Sequence, residues 1–520
     1  MREYYRKLPA HLPLLLLCAG LSACSMDRLR SLIKPSSSAE NVVAQARVSQ
    51  PCPADDSETT AARAHGVSLV KDIYSGPKGS DPALLIRVGE YIFFSADDGK
   101  HGRELWKSNG TAACTVMVRD INSLRAPSSG VTAALLTGNG SPSSLTSIGT
   151  TLYFAANDGL HGKELWKSDG STAGTVMLKD INTSADGSAE ASAYPAYLTD
   201  VDGRLFFTAD DGKHGTELWR SDGTADGTRL VYDIYLGENG SSPSNLTVID
   251  GTLYFTANDN THGNEIWKSD GTAAGTNMLT DINPKGSSYP SAFTRVGKSL
   301  FFIADDGVNG RELWKSDGTV AGTKMVTDIN TSPGINGGKS VTSGLLVIND
   351  RVYFSADDGR NGVELWTSDG TPEGTRMVRD INPASSNPAE MTNVAGILYF
   401  TADDGIHGVE LWKSDGTENG TVMVRDINSH PDIKGGSSYP TALTASQGRL
   451  YFVADSGDGG GEELWISDGS DSGTIMIKNI SSDQTTNAGG SNPRDLIDID
   501  GTLYFSAYKV SLGRELYRYK

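Results

Sequence analysis

The sequence is poor in several things, and each absence narrows the reading. Basic residues are outnumbered, 45 Lys and Arg against 64 Asp and Glu, a formal net charge of -19. A phosphate backbone needs clustered Lys and Arg, so no nucleic-acid partner is expected. After Leu21 no stretch is apolar enough for a transmembrane helix. No G-x-S-x-G elbow, HExxH helix or phosphate loop occurs. Aromatics make up 8% and cysteine only 4 of 520 residues.

What is present is one phrase written nine times. Residues 164 to 182 give it almost whole, from Glu164-Leu165-Trp166-Lys167-Ser168-Asp169-Gly170 to Asp180-Ile181-Asn182. Its acid and aromatic recur as Glu104 and Trp106, Glu164 and Trp166, Glu217 and Trp219, Glu265 and Trp267, Glu312 and Trp314, Glu364 and Trp366, Glu410 and Trp412, Glu463 and Trp465, and Glu515 and Tyr517. The aromatic positions are spaced by 60, 53, 48, 47, 52, 46, 53 and 52 residues, a period that signals a propeller, a solenoid or an array.

Within a repeat, alternation and turn residues predict four short strands. They are 244–249, 252–257 after an Asp250-Gly251 hairpin turn, 265–268, and 276–282 after Ser269-Asp270-Gly271-Thr272. The second strand has large side chains on both faces (Leu253 and Phe255, then Tyr254), as a sheet sandwiched between two others requires. The expected fold is therefore all-β, a propeller of about nine four-stranded antiparallel blades. Residues 67–73 read as a fourth strand with no first three, and residues 495–517 as three strands with no fourth. Their pairing is expected to close the ring and remove its open edges.

The N-terminus reads as an address. Arg2, Arg6 and Lys7 precede an apolar run from Leu12 to Leu21, which ends in Leu21-Ser22-Ala23-Cys24. Residues 1–23 thus look like a lipoprotein signal, with Cys24 the lipidated residue. Ser25 after it favours an outer-membrane lipoprotein of the bacterial cell envelope, touching the membrane through its lipid only. Residues 24–66 are polar and Pro- and Ser-containing without periodicity, a tether ahead of the 67–520 repeat domain. Cys52 and Cys114 are the two thiols left in an oxidising compartment, and Cys114 stands where seven other copies keep Gly. A Cys52–Cys114 disulfide is expected.

The phrase resembles the ELWxxDGT repeat of bacterial secreted and surface proteins over residues 67 to 520. That resemblance implies a propeller-like extracellular repeat and transfers no activity or ligand. This chain departs from the pattern locally, with Asn109 for Asp, Cys114 for Gly, Asn479 for Asp and Tyr517 for Trp. The Ser-Asp-Gly-Thr turn also resembles, loosely, the Asp-box turn of sialidase propellers, a structural feature there.

Three sets of residues could carry chemistry. The turn after the second strand reads Asp-Asp-Gly-x-His-Gly-x-Glu at 97–104, 210–217 and 403–410, with variants elsewhere. Its second aspartates, Asp98, Asp158, Asp211, Asp259, Asp306, Asp358 and Asp404, offer oxygens that suit Ca²⁺, the one cofactor considered. The spacing fits neither an EF-hand nor an RTX nonapeptide, and turns need Asp and Gly for conformation alone, so a structural turn is preferred. Asn309 and Asn361 replace the His of His101, His161, His214, His262 and His407, which favours a turn hydrogen bond over a metal ligand. The nine glutamates cannot be left unpaired between blades and are expected to take backbone N–H groups, Lys or Arg as partners. Nine equivalent acids make a lattice, whereas an active site needs one blade to differ. The favoured function is a non-catalytic, surface-anchored scaffold binding an extracellular protein, glycan or matrix component. The alternative is a propeller hydrolase or lyase acting on extracellular polysaccharide.

Overall fold

A computed structural model describes residues 66–123, 138–184, 191–331, 340–341, 344–429, 436–481 and 489–520. The leader, Cys24, the tether and Cys52 lie outside them, as do parts of the segments 122–144, 182–196, 330–343 and 428–439. Every regular element among the described residues is a strand, and the strands form nine four-stranded antiparallel sheets. Blade 1 is Ala83–Val88, Tyr91–Asp97, Arg103–Ser108 and Val116–Arg119, in that order from the axis outward. Seven blades repeat this order with consecutive strands, and neighbouring inner strands lie side by side around the ring.

The ninth blade joins the two ends. Arg494–Ile499, Thr502–Lys509 and Gly513–Tyr519 supply its first three strands and Val67–Lys71 its outer one. Val67 stands opposite Tyr519, Ser68 opposite Arg518 and Leu69 opposite Tyr517. On the far side of the closure, Arg87 of blade 1 pairs with Asp500 of blade 9 at 2.7 Å, and Leu84 N–H donates to Asp495 Oδ1 at 3.2 Å. The nine-bladed closed propeller expected from the repeat is the observed fold.

Packing explains why the second strand is apolar on both faces. One Phe per blade, from Phe94 to Phe505, is fully buried. Its cluster always spans two neighbouring blades: Val88, Phe93, Leu105 and Val118 of blade 1 meet Leu152, Phe154 and Trp166 of blade 2. There are nine such clusters, and one of them sets Val70, Ile73, Tyr504 and Leu516 of blade 9 against Ile92, Phe94 and Trp106 of blade 1. Nine interfaces for nine blades is the count of a ring, since an open array has one fewer. Each Ser-Asp-Gly-Thr turn also presses a left-handed glycine onto an aromatic of the preceding blade. A Cβ at Gly223 would strike the Tyr153 phenol, and one at Gly110 of blade 1 the Tyr504 phenol of blade 9.

Cys114 is buried and disulfide-bonded. Its partner lies outside the described residues. Alkylation of the denatured, unreduced chain is expected to leave Cys114 unmodified, read by peptide mass mapping. A labelled Cys114 would remove the disulfide.

Candidate functional site

Two turn systems put chemistry-bearing residues on one face of the ring. In the Asp-Asp-Gly turn of blade 1, Asp98 Oδ1 accepts the N–H groups of Lys100 and His101, both at 2.9 Å, and Oδ2 lies 2.7 Å from His101 Nδ1. Asp158, Asp211, Asp259 and Asp404 face His161, His214, His262 and His407 in the same way at 2.7–2.8 Å. In the other two copies Asn309 Nδ2 donates to Asp306, and Asn361 Nδ2 to Asp358, both at 2.8 Å. His and Asn are interchangeable here because the turn needs only one donor at the δ position.

Burial alone would raise Asp98, but the bonds from His101 and Lys100 outweigh it and hold the carboxyl below its usual range. The hydrogen bond to Asp158 pushes His161 up, and His214, His262 and His407 are raised by their own partners. Both oxygens of these aspartates are thus engaged in the turn. Among the described residues no group of three or more His, Cys, Asp or Glu side chains is placed to hold a metal.

The second system is the buried glutamate. All nine are 0% exposed. Glu164 Oε2 accepts Ile181 N–H at 2.9 Å and Oε1 accepts Ala193 N–H at 3.0 Å, tying the end of one blade to the entry of the next. In seven junctions the entry residue is a serine whose hydroxyl adds a bond, as Ser288 Oγ to Glu265 at 2.6 Å and Ser438 Oγ to Glu410 at 2.5 Å. The expected backbone partners are present, and among the described residues no Lys or Arg joins them. The serines were missed by sequence reasoning, although the Ser-x-Pro spelling at 80–82, 241–243, 288–290, 386–388, 438–440 and 491–493 is their signal. Burial pushes Glu104, Glu164 and Glu410 up to about 7 and Glu312 to about 8, against the donors that hold them down. Glu217, Glu265, Glu364, Glu463 and Glu515 are raised for the same reason.

The glutamate latch also sets the backbone just beyond the blade entry. The residue after the latched one precedes a proline and adopts a left-handed backbone in eight blades. In blades 3, 5 and 8 it is Tyr194, Tyr289 and Tyr439, with φ of 48°, 46° and 45° and exposures of 66%, 58% and 60%. A bulky residue in that region is an outlier, held there by its surroundings. Tyr194 N–H donates to Lys163 O and Tyr439 N–H to Val409 O, which places both beside Asp-Asp-Gly turns whose x residues, Leu160 and Ile406, are also exposed. The aromatics Trp106, Trp166, Trp219, Trp267, Trp314, Trp366, Trp412, Trp465 and Tyr517, by contrast, serve the blade interfaces, with Phe154 and Trp166 ring centroids 6.4 Å apart.

No family model matches the chain, and no curated protein does. Solved structures do match. A crystal structure of puromycin hydrolase has 14% identity and a TM-score of 0.39, covering 85% of this chain and 60% of that one. A puromycin-hydrolysing peptidase of Mycobacterium tuberculosis has 11% identity and a TM-score of 0.37, covering 85% and 59%. A structure from a study of two prolyl endopeptidases has 13% identity and a TM-score of 0.38, covering 84% and 54%. The chain therefore spans little more than half the length of these structures, and the fold rests on its own blades.

The matched structures are of a puromycin hydrolase, a puromycin-hydrolysing peptidase and prolyl endopeptidases, and the functional expectation, which none of them bears out, is corrected. The non-catalytic surface-anchored scaffold for a protein, glycan or matrix component is set aside, and so is its polysaccharide-acting alternative. The physical reason the expectation failed is plain. It rested on the equivalence of nine blades and on variable loops poor in paired acids. Equivalence reports packing, which every blade must share whatever the ring does.

Proposed function

We propose that the propeller handles peptides, taking extended, apolar-bearing segments on the face that carries the Asp-Asp-Gly turns and the blade entries. The observation supporting this reading is the uneven placement of exposed apolar side chains between the two sets of turns. Leu160, Tyr194, Leu236, Tyr289, Val308, Ile406 and Tyr439 belong to turns and connections of that face. Towards the Ser-Asp-Gly-Thr turns of the other face, the large apolar residues exposed among the described ones are Val320 and Ile475. Apolar groups gathered on one side of a soluble surface mark a contact region. Tyrosine suits peptide, since its ring packs on apolar side chains while its phenol bonds main-chain groups. No residue is assigned to bond cleavage.

The test is binding of the unmodified protein and a Tyr194→Ser/Tyr439→Ser double variant to an immobilised random peptide library. Loss of two exposed aromatic contacts is expected to weaken retention about tenfold or more. Tm should shift little, because neither ring is in the core. No retention by the unmodified protein, or full retention by the double variant, would sink the reading.

A further inference from the structure

The opposite face of the ring is broken in symmetry at one blade. In blade 3 Phe206 stands opposite Arg220, and Arg220 opposite Arg229. Arg204, two residues before Phe206, shares its side of the strand. The three arginines line an open cavity of about 430 Å³ together with Ser221, Asp222 and Thr224. Elsewhere the same three positions hold at most two cations: blade 5 has Ser299, Lys315 and Lys324, and blade 6 has Arg351, Thr367 and Arg376.

What those other cations do sets the contrast. Lys107, Lys167, Lys268 and Lys413 each donate to the glycine carbonyl of the next blade's turn at 2.8–2.9 Å, and Lys315 does the same to Gly370. In blade 6 Arg376 takes over that bond to Gly416 at 3.1 Å, and Arg351 is occupied by Asp369 and Gly374 O. In blade 3, among the described residues, none accepts a hydrogen bond from Arg204, Arg220 or Arg229. The nearby carboxylates are Asp222, Asp226 and Asp270, and Asp222 Oδ1 is already taken by Thr224 N–H at 2.9 Å and Thr224 Oγ1 at 2.6 Å. Burial and then the like charges of Arg229 and Arg204 depress the Arg220 guanidinium, the mark of cations crowded without a full set of partners. Gathering positive charge on a chain of net -19 works against the general field of the molecule.

We propose that this cavity binds a tetrahedral oxyanion, phosphate or sulfate, free or as a monoester. Guanidinium forks match the paired oxygens of such groups and their hydrogen bonds are charge-assisted on both sides. The experiment is calorimetric titration of the unmodified protein with inorganic phosphate and, separately, with sulfate, at constant ionic strength and with chloride as reference. The two arms distinguish the sources of the group. Saturable binding of at least one oxyanion is expected. Arg220→Lys should weaken it about tenfold, since lysine offers no fork and has the next blade's carbonyl to satisfy. Arg229→Asn should weaken it further; both residues stand at these positions in blade 4, so both fit the fold. Arg376→Asn in blade 6 should leave binding unchanged. The proposal is overturned if neither oxyanion gives saturable heat above chloride, or if the folded Arg220→Lys/Arg229→Asn variant binds as the unmodified protein does.

Discussion

Removing residues 67–74 is expected to lower the melting temperature more than any comparable trim of the chain. The outer strand of blade 9 disappears, so the edge of Gly513–Tyr519 loses its pairing with Val67, Ser68, Leu69 and Lys71. Val70 and Ile73 leave the cluster between blades 9 and 1, at about 1.5–3 kcal/mol for each buried side chain. Glu515 loses the N–H groups of Ile73 at 3.1 Å and Tyr74 at 3.2 Å, keeping only Ser80. A half-satisfied buried carboxyl costs roughly a further 1–3 kcal/mol. The exposed strand edge should also associate with other copies, visible as early elution in size-exclusion chromatography. A variant with unchanged Tm and elution would mean that the ring does not depend on its closure strand.

The second large effect is of pH. The folded-state values of the nine glutamates lie above the ordinary value of 4.5, at about 7 for Glu104, Glu164 and Glu410 and about 8 for Glu312. Between pH 4.5 and those values the folded chain holds protons that the unfolded chain has lost, so stability falls as pH rises through that window. The raised His161, His214, His262 and His407 act in the same sense, their contribution being full below 6.5 and lost above their folded values. On the acid side Asp98, Asp158, Asp211, Asp259 and Asp404 are depressed below 3.8, and their contribution is lost as pH falls through those values. Tm should therefore peak near pH 5 and drop by several degrees towards pH 9. Glu312→Gln separates this from the general repulsion of a growing negative charge, because it removes one titrating group and should flatten the slope between pH 6 and 9. A Tm that is flat or rising over that range would count against neutral glutamates in the blades.

The fold was legible because its determinants are local and repeated. Alternation in 252–257 shows that both faces of a strand are buried, and the unmatched segments at 67–73 and 495–517 show that the ends complete one blade. The glutamate was legible as a group needing partners. Its serine was not, since Glu265 and Ser288 meet only after the chain has crossed from one blade to the next. The blade 3 arginines were hidden for a related reason. Positions 204, 220 and 229 share no period and are brought into one row by strand register alone. The exposed tyrosines escaped notice because periodicity reports which side chains are covered and is silent on the few that break the pattern outward. Function was legible least, since the most frequent residues in the chain are those that hold blades together.

The Glu515 latch also has a consequence in time. Its partners at Ile73 and Tyr74 are made more than 440 residues earlier. At 5–20 residues per second a ribosome needs roughly 20–90 s to cover that distance. Throughout that interval blade 1 can pack on blade 2, yet its other flank, with Ile92, Phe94 and Trp106, has nothing to rest against. The nascent chain thus carries one sticky, waiting surface from its first blade to its last residue, and whatever shields that surface during synthesis governs the yield of closed rings.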